Sequence, residues 1–180
     1  MMEKIIIAGF GGQGVMLMGQ MLAYSATDEG LHTVWIPSYG PETRGGTANC
    51  SVILASDPIY APVVESPDVL IALNEPSLMK FIDRVTPGGT VFYNASLIPH
   101  PPQRDDVTLI GIDAHPLALE LGEIKTVNMI MLGALSARLE LIPLDRLLHT
   151  MKKTFSGRKA HLYALNETAL NRGRDMIEVS

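Results

Sequence analysis

A mostly parallel α/β sheet with helices on both faces is the fold class this sequence predicts, on three observations. Ile5-Ile6-Ile7-Ala8 is apolar on both faces, as a buried parallel strand is, and a glycine cluster and then a helical apolar pattern follow at once. Further short apolar runs at 33–37, 68–74, 90–94 and 107–112 recur down the chain, most of them separated by helical patterns. Repeats and low-complexity segments are missing, so the 180 residues are expected to form one domain, 1–180. Strand, glycine turn and helix in that order make the arrangement a Rossmann-like three-layer one. The first strand should be central, with its turn opening at the carboxyl edge.

The first strand ends in Gly9-Phe10-Gly11-Gly12-Gln13-Gly14-Val15. Gly9, Gly11 and Gly14 have the spacing of a dinucleotide-type turn. In such a turn the first glycine permits the bend, the second lets backbone approach a ligand, and the third lets helix pack on strand. A helix starting there aims unpaired N–H groups and a positive dipole end at the crevice, which favours an anion, most simply a phosphate. The same residues also suit a close strand–helix turn with no ligand. No Gly-Lys-Ser/Thr follows, which excludes a P-loop. Val15, Leu17, Met18, Met21 and Leu22 continue at helical spacing, the methionines read as core and interface packing, and Gly30 is placed to end the helix.

The second strand, Thr33–Pro37, runs into Ser38-Tyr39-Gly40, where an NAD site would carry an acidic residue for the ribose. A plain nicotinamide dehydrogenase loses its main support there. The loop Ser38–Gly46 sets Tyr39, Glu42, Thr43 and Arg44 among three glycines and Pro41. It lies at the carboxyl end of a parallel strand, where open α/β sheets bind ligands. It reads equally as a surface loop in which Arg44 and Glu42 pair in solvent. Thr47–Ala55 is a strand with no helix before it, so an antiparallel or a crossing placement is expected, and Cys50 within it is expected to be a buried, inert thiol.

Asp68–Asn74 and Thr90–Asn94 are strands that end in asparagine, which puts amides at the carboxyl edge either to contact ligand or to cap the next element. Glu75-Pro76 opens a helix over Ser77–Val85; Val107–Ile112 is the last strand, and a short helix reaches about Gly122. His100 and His115 adjoin prolines in separate loops and are read as neither ligands nor bases. Thr126–Ala137 is apolar nearly all round, so it is buried or faces a partner. Thr126 is placed to cap it, Asn128 falls in its first turn near the crevice, and Gly133, Ala134 and Ala137 permit close packing. Leu144–Phe155 is amphipathic, and Ala160–Ile177 is a polar-backed helix.

Composition narrows the function. With 47% of residues apolar, surface remains for a partner subunit, and a formal charge of −5 argues against nucleic acid. The nearest approach to a basic cluster, Lys152, Lys153, Arg158 and Lys159, reads as a solvated helix end. A single cysteine excludes a disulfide framework and a cysteine-ligated iron–sulfur cluster within the chain. Met1-Met2-Glu3-Lys4 enters a strand with no signal peptide and no stretch is long enough for a membrane span, so a cytoplasmic protein is expected. No catalytic residue and no metal site is expected.

Three stretches together, Gly9 to Val15, Ser38 to Gly46, and Asn128-Met129-Ile130-Met131-Leu132-Gly133-Ala134, resemble the gamma subunit of 2-oxoacid:ferredoxin (acceptor) oxidoreductases in order and spacing, over essentially the whole chain. The Ser38–Gly46 loop is the most specific of them. The resemblance implies a non-catalytic subunit of an enzyme that oxidatively decarboxylates a 2-oxoacid to an acyl-coenzyme A and passes electrons to ferredoxin. It places thiamine diphosphate, magnesium and iron–sulfur clusters on other subunits, thiamine-binding and ferredoxin-like, so this chain binds no cofactor alone. It associates the gamma domain with the coenzyme A side of the site. Gly11, Gly12, Gln13, Gly14, Tyr39, Thr43, Arg44 and Asn128 are the residues expected there, with self-association over an apolar patch when the chain is isolated. Two other classes fit the same residues: a purely structural assembly subunit with no ligand, and a free-standing nucleotide-binding protein of the Rossmann type. The compact form points to the 2-oxoglutarate or general oxoacid type.

Overall fold

The computed structural model describes residues 1–40 and 46–178. Its strands are β1 (Met2–Phe10), β2 (His32–Tyr39), β3 (Thr47–Ala55), β4 (Val69–Ala72), β5 (Thr90–Asn94) and β6 (Thr108–Ile112). The helices are α1 (Val15–Asp28), α2 (Glu75–Phe81), α3 (Ala114–Glu120), α4 (Val127–Ser136), α5 (Leu144–Thr154) and α6 (Tyr163–Glu178). The six strands form one sheet in the order β2-β3-β1-β4-β5-β6. β1, β4, β5 and β6 run parallel, while β3 is antiparallel to both β1 and β2. The first strand is therefore interior, as its two apolar faces require. Of the two placements open to β3, antiparallel or crossing, it takes the antiparallel one and is inserted directly beside β1.

Alternation along β1 divides the core. Ile5 and Ile7 join the cluster under α1 and α3–α6, and Ile6 and Ala8 join the one under α2. The sheet thus lies between two helical layers. Pro37 is accommodated because β2 is an edge strand, where a missing N–H costs no ladder bond. β2 runs two residues past the expected end, because pairing with β3 holds Ser38 opposite Asn49 and Tyr39 opposite Ala48. Gly30, at φ 78°, follows the end of α1, with Leu31 N–H returning to Ala26 O at 3.0 Å.

Two expected helix details differ. The helix after Asn74 is α helical only to Phe81 and then tightens into a 3-10 turn over Ile82–Arg84. Thr126 does not cap α4. It sits in a 3-10 turn over Ile124–Thr126, and its hydroxyl donates to Glu123 O at 2.7 Å, so the chain enters α4 already wound.

α4 is buried along its length and crosses α6 at a pair of glycines. A methyl group on Gly133 would meet the Leu170 carbonyl oxygen, and one on Gly173 would meet that of Ile130. Each glycine therefore lets the other helix's backbone approach. Gly133→Ala should destabilise the protein by about 1–3 kcal/mol through overpacking, read as a lowered thermal midpoint. Gly30→Ala, where no neighbouring atom lies within 4 Å, should cost less and only through its positive φ.

Candidate functional site

The end of β1 is wrapped by its own turn. Gln13 folds back so that its Oε1 accepts from Phe10 N–H at 2.7 Å and from Asn74 Nδ2 at 2.9 Å. Gln13 N–H donates to Phe10 O at 3.1 Å, and Asn74 Oδ1 accepts from Ser77 N–H at 3.0 Å, capping α2. Gly9 is required beneath this wrap, since a Cβ there would lie 2.7 Å from Gln13 Oε1. Gly12 and Gly14 take left-handed φ values of 92° and 79°. Gly14 is the residue before α1, and the first helical bond there runs from Met18 N–H to Gly14 O at 3.1 Å. The N–H groups of Val15, Met16 and Leu17 thus precede the ladder and have no partner within the helix.

Gly14 serves a different contact from the one its spacing suggested. A Cβ on it would collide with the Asn128 side chain, so Gly14 admits the first turn of α4 rather than β1. Close approach of α1 to the sheet falls to Gly19, over which Cys50 Sγ and Trp35 Nε1 lie. The starts of α1 and α4 therefore meet at Gly14 and Asn128.

Two chambers open beside that meeting point. One, of about 190 Å³, is lined by Gly12, Gln13, His115, Ile124, Lys125, Val127 and Asn128. The other, of about 300 Å³, adds Gly14, Leu17, Glu123, Phe155, Leu162 and Leu165 among its walls. Of the residues expected in the site, Gly12, Gln13, Gly14 and Asn128 come together here. Gly11 turns toward the neighbouring loop instead, its N–H donating to Gly46 O at 2.9 Å. Tyr39 is exposed at the sheet rim in a row with Ala48 and Gly9, two strand spacings or about 9.5 Å from the β1 backbone. Thr43 and Arg44 lie outside the described residues.

Lys125 and His115 line the cleft although the sequence reading assigned them nothing. Lys125 stands three residues before Asn128, in the turn that leads into the same helix, and that adjacency was the available signal. His115 reaches the cleft because α3 starts beside the end of β5. Asn94 Oδ1 accepts from Ser96 N–H at 3.3 Å, which leaves Asn94 Nδ2 to donate to His115 Nδ1 at 3.3 Å and the ring proton on Nε2. Both edge asparagines thus brace local structure. Among the described residues, no three His, Cys, Asp or Glu side chains are grouped to hold a metal, and no helix is long and apolar enough to cross a membrane.

Cys50 is buried in β3, and burial pushes its thiol up to about 12. An unfolded thiol titrates near 8.5, so the folded state keeps its proton over a range in which the unfolded chain loses one. Stability is therefore unaffected below about pH 8 and falls as pH rises toward 12, by about 2 kcal/mol at pH 10. Denaturation midpoints at pH 7 and pH 10 check this, because Cys50→Ala should remove that part of the alkaline loss. Gln13→Ala should cost about 1–3 kcal/mol, since Phe10 N–H and Asn74 Nδ2 lose their acceptor. Hydrogen exchange at the Phe10 amide should accelerate with it.

Comparison with known proteins brings in relatives of one kind. A family model described as pyruvate ferredoxin/flavodoxin oxidoreductase matches residues 4–176. The ketoisovalerate oxidoreductase subunit VorA of Methanothermobacter thermautotrophicus is 42% identical over 158 residues, covering 87% of this chain and 32% of that protein. The 2-oxoglutarate synthase subunit KorC of Methanothermobacter marburgensis is 36% identical over 143 residues, covering 76% of this chain and 77% of that one. The chain thus spans about a third of the VorA proteins and most of KorC. Among solved structures, the 2-oxoglutarate:ferredoxin oxidoreductase from Magnetococcus marinus, with 2-oxoglutarate, coenzyme A and succinyl-CoA bound, shares the fold. Its TM-score is 0.92 at 24% identity, over 99% of this chain and 31% of that one.

Proposed function

The chain belongs to the pyruvate ferredoxin/flavodoxin oxidoreductase family, and from that membership we propose that it is the gamma subunit of a 2-oxoacid:ferredoxin oxidoreductase, a single domain contributing to the coenzyme A side of the site. The observation that carries the proposal is the glycine turn at the end of an interior strand. There the starts of α1 and α4 meet over a cleft lined by Asn128 and Lys125. Helix starts and a lysine are the chemistry of phosphate recognition, and coenzyme A carries phosphates. Tyr39, Thr43 and Arg44 join the ligand set on the strength of the sequence, Arg44 as a charge-assisted contact. Gln13 supports the set by bracing the turn.

Catalysis belongs to partner subunits in this reading. Cys50 is the one cysteine and is buried, so the residues here do not fit a cysteine-ligated cluster. Packing on thiamine-binding and ferredoxin-like subunits has support in a second feature, the extended strap over residues 57–67. Arg84 fastens it by donating to Val64 O at 2.7 Å and Glu65 O at 2.8 Å, while Ile59 and Val64 pack inward. Tyr60 and Val63 are held outward, 91% and 67% exposed, an ordered apolar pair suited to an interface.

Arg44→Ala in the assembled enzyme tests the ligand assignment. Loss of a hydrogen bond to a charged group should raise the KM for coenzyme A by about 10- to 100-fold, with assembly and oxoacid-dependent reduction of the thiamine intermediate retained. Dissociation of the complex, with residual enzyme keeping its coenzyme A affinity, would make the loop an interface clamp and the chain a structural subunit.

A further inference from the structure

We infer that the exposed basic knuckle after α5, carrying Lys152, Arg158 and Lys159, docks on a carboxylate-rich face of a partner subunit. The inference rests on the gamma-subunit reading and adds to it a second contact, electrostatic rather than apolar.

Charge is unevenly distributed along this acidic chain. Between Asp145 and Glu167 there is no acidic residue, yet that stretch holds five of the 14 lysines and arginines. Two of the five have partners within the chain: Arg146 pairs with Glu29, and Lys153 with Asp28 at 2.8 Å. Lys152, Arg158 and Lys159 are exposed and make no ion pair among the described residues. α5 ends at Thr154, and a 3-10 turn over Gly157–Leu162 follows with no buried residue in it. Every residue from 156 to 161 is exposed. The turn is ordered all the same, since Ser156 Oγ donates to Lys153 O at 2.7 Å and Lys159 N–H to Ser156 O at 3.1 Å. Residues three apart stack in a 3-10 turn, so His161 stands beside Arg158. Ordering this segment costs conformational entropy that no burial of its own side chains offsets. Contact with another molecule offsets it.

Three observations select that molecule. Lys152, Arg158, Lys159 and His161 line neither chamber of the cleft, so the knuckle stands outside the ligand site. It offers a membrane surface no exposed large apolar side chain, for Phe155 is buried and Leu162 half-buried. An electron carrier docked here would meet no cysteine-ligated cluster in this chain, whose one cysteine is buried. A carboxylate-bearing protein face, held in the assembly, is the complement that remains. Its position matters as much as its charge. Phe155 and Leu162, at the two ends of the knuckle, pack into the core under α1 and α3–α6. The strap over 57–67 packs through Ile59 and Val64 into the core under α2. The two surfaces lie on opposite faces of the sheet, so this chain is held between neighbours and does not merely cap one.

The test uses the enzyme assembled with its partner subunits, diluted and followed by mass photometry at low salt and at about 1 M, where the Debye length is ~3 Å. Lys152→Glu, Arg158→Glu and Lys159→Glu together should weaken assembly by about 10- to 100-fold at low salt. At high salt, variant and wild type should converge. Exchanging lysine and arginine at the same three positions should keep assembly intact. Tyr60→Ala in the strap is the control, and it should weaken assembly at both salt concentrations. If Tyr60→Ala does so while the charge reversal leaves assembly and its salt dependence as in the wild type, the inference falls and the subunit reading stands. A raised KM for coenzyme A or for ferredoxin, or loss of binding to phosphatidylserine vesicles, with assembly unchanged, gives the cations to that other partner and equally overturns it. If the wild-type chain forms no complex with thiamine-binding subunits, the subunit reading falls and takes the inference with it.

Discussion

Gln13 Oε1 accepts from the last N–H of β1 and from the Asn74 amide at the end of β4, and these two bonds tie the ends of neighbouring parallel strands to one turn. The constraint propagates in both directions along the chain. Backward, it forbids a side chain at Gly9, whose Cβ would occupy the space the glutamine needs. Forward, it makes the chain reverse within four residues, which only left-handed backbone at Gly12 and Gly14 allows. The axis of α1 follows from that reversal, and with it the direction of the N–H groups ahead of its ladder. Sideways, Asn74 uses its other atom to cap α2, so a helix on the opposite layer is fastened to the same turn.

Insertion of β3 supplies the second constraint. A wholly parallel sheet would have set a parallel strand beside β1 and its connecting loop at the far edge. An antiparallel β3 instead starts where β1 ends, Thr47 opposite Phe10, which brings Gly46 to Gly11 and the end of the β2–β3 connection to the glycine turn. Strand order and direction, not sequence proximity, therefore make neighbours of residues 11–14 and 46. The cost is borne at the edge, where β2 pairs on one side only and tolerates Pro37.

The sequence was legible where a pattern has one physical solution. Ile5 to Ala8 is apolar on both faces, and only an interior strand buries both; Thr47–Ala55 follows a strand without a helix, which left an antiparallel or a crossing placement, and pairing with β1 and β2 selects the first. It was less legible where one residue type serves two ends. Gln13 and Asn128 look alike as polar residues beside a glycine turn. One amide oxygen is spent on bracing, while the other residue keeps its nitrogen open to the cleft. Asn74 and Asn94 were similarly ambiguous, and both proved to be braces. Thr126 carries a capping residue's identity, but its hydroxyl is taken by Glu123 O because the preceding turn is 3-10. Lys125 was invisible because a lone lysine has no periodicity. Only the folded chain brings residues 12, 115 and 125 to one wall.

Net charge misleads about this surface, and screening explains why. The chain carries 19 carboxylates against 14 lysines and arginines, a balance that by itself would repel a phosphate. At physiological ionic strength, however, charges farther apart than about 8 Å are largely screened from one another, so a bound anion feels the groups lining the cleft and little else. There the balance differs. Asp28 is held by Lys153 at 2.8 Å and Glu29 by Arg146, both on the α1–α5 contact rather than in the cleft. Lys125 remains, with Arg158 and Lys159 in the turn that leads to Leu162 on the cleft wall. Among the described residues lining it, the acidic side chain is Glu123, which has an oxygen engaged by a backbone N–H. An acidic protein can thus present a locally cationic rim, because salt screens the carboxylates that lie away from the cleft.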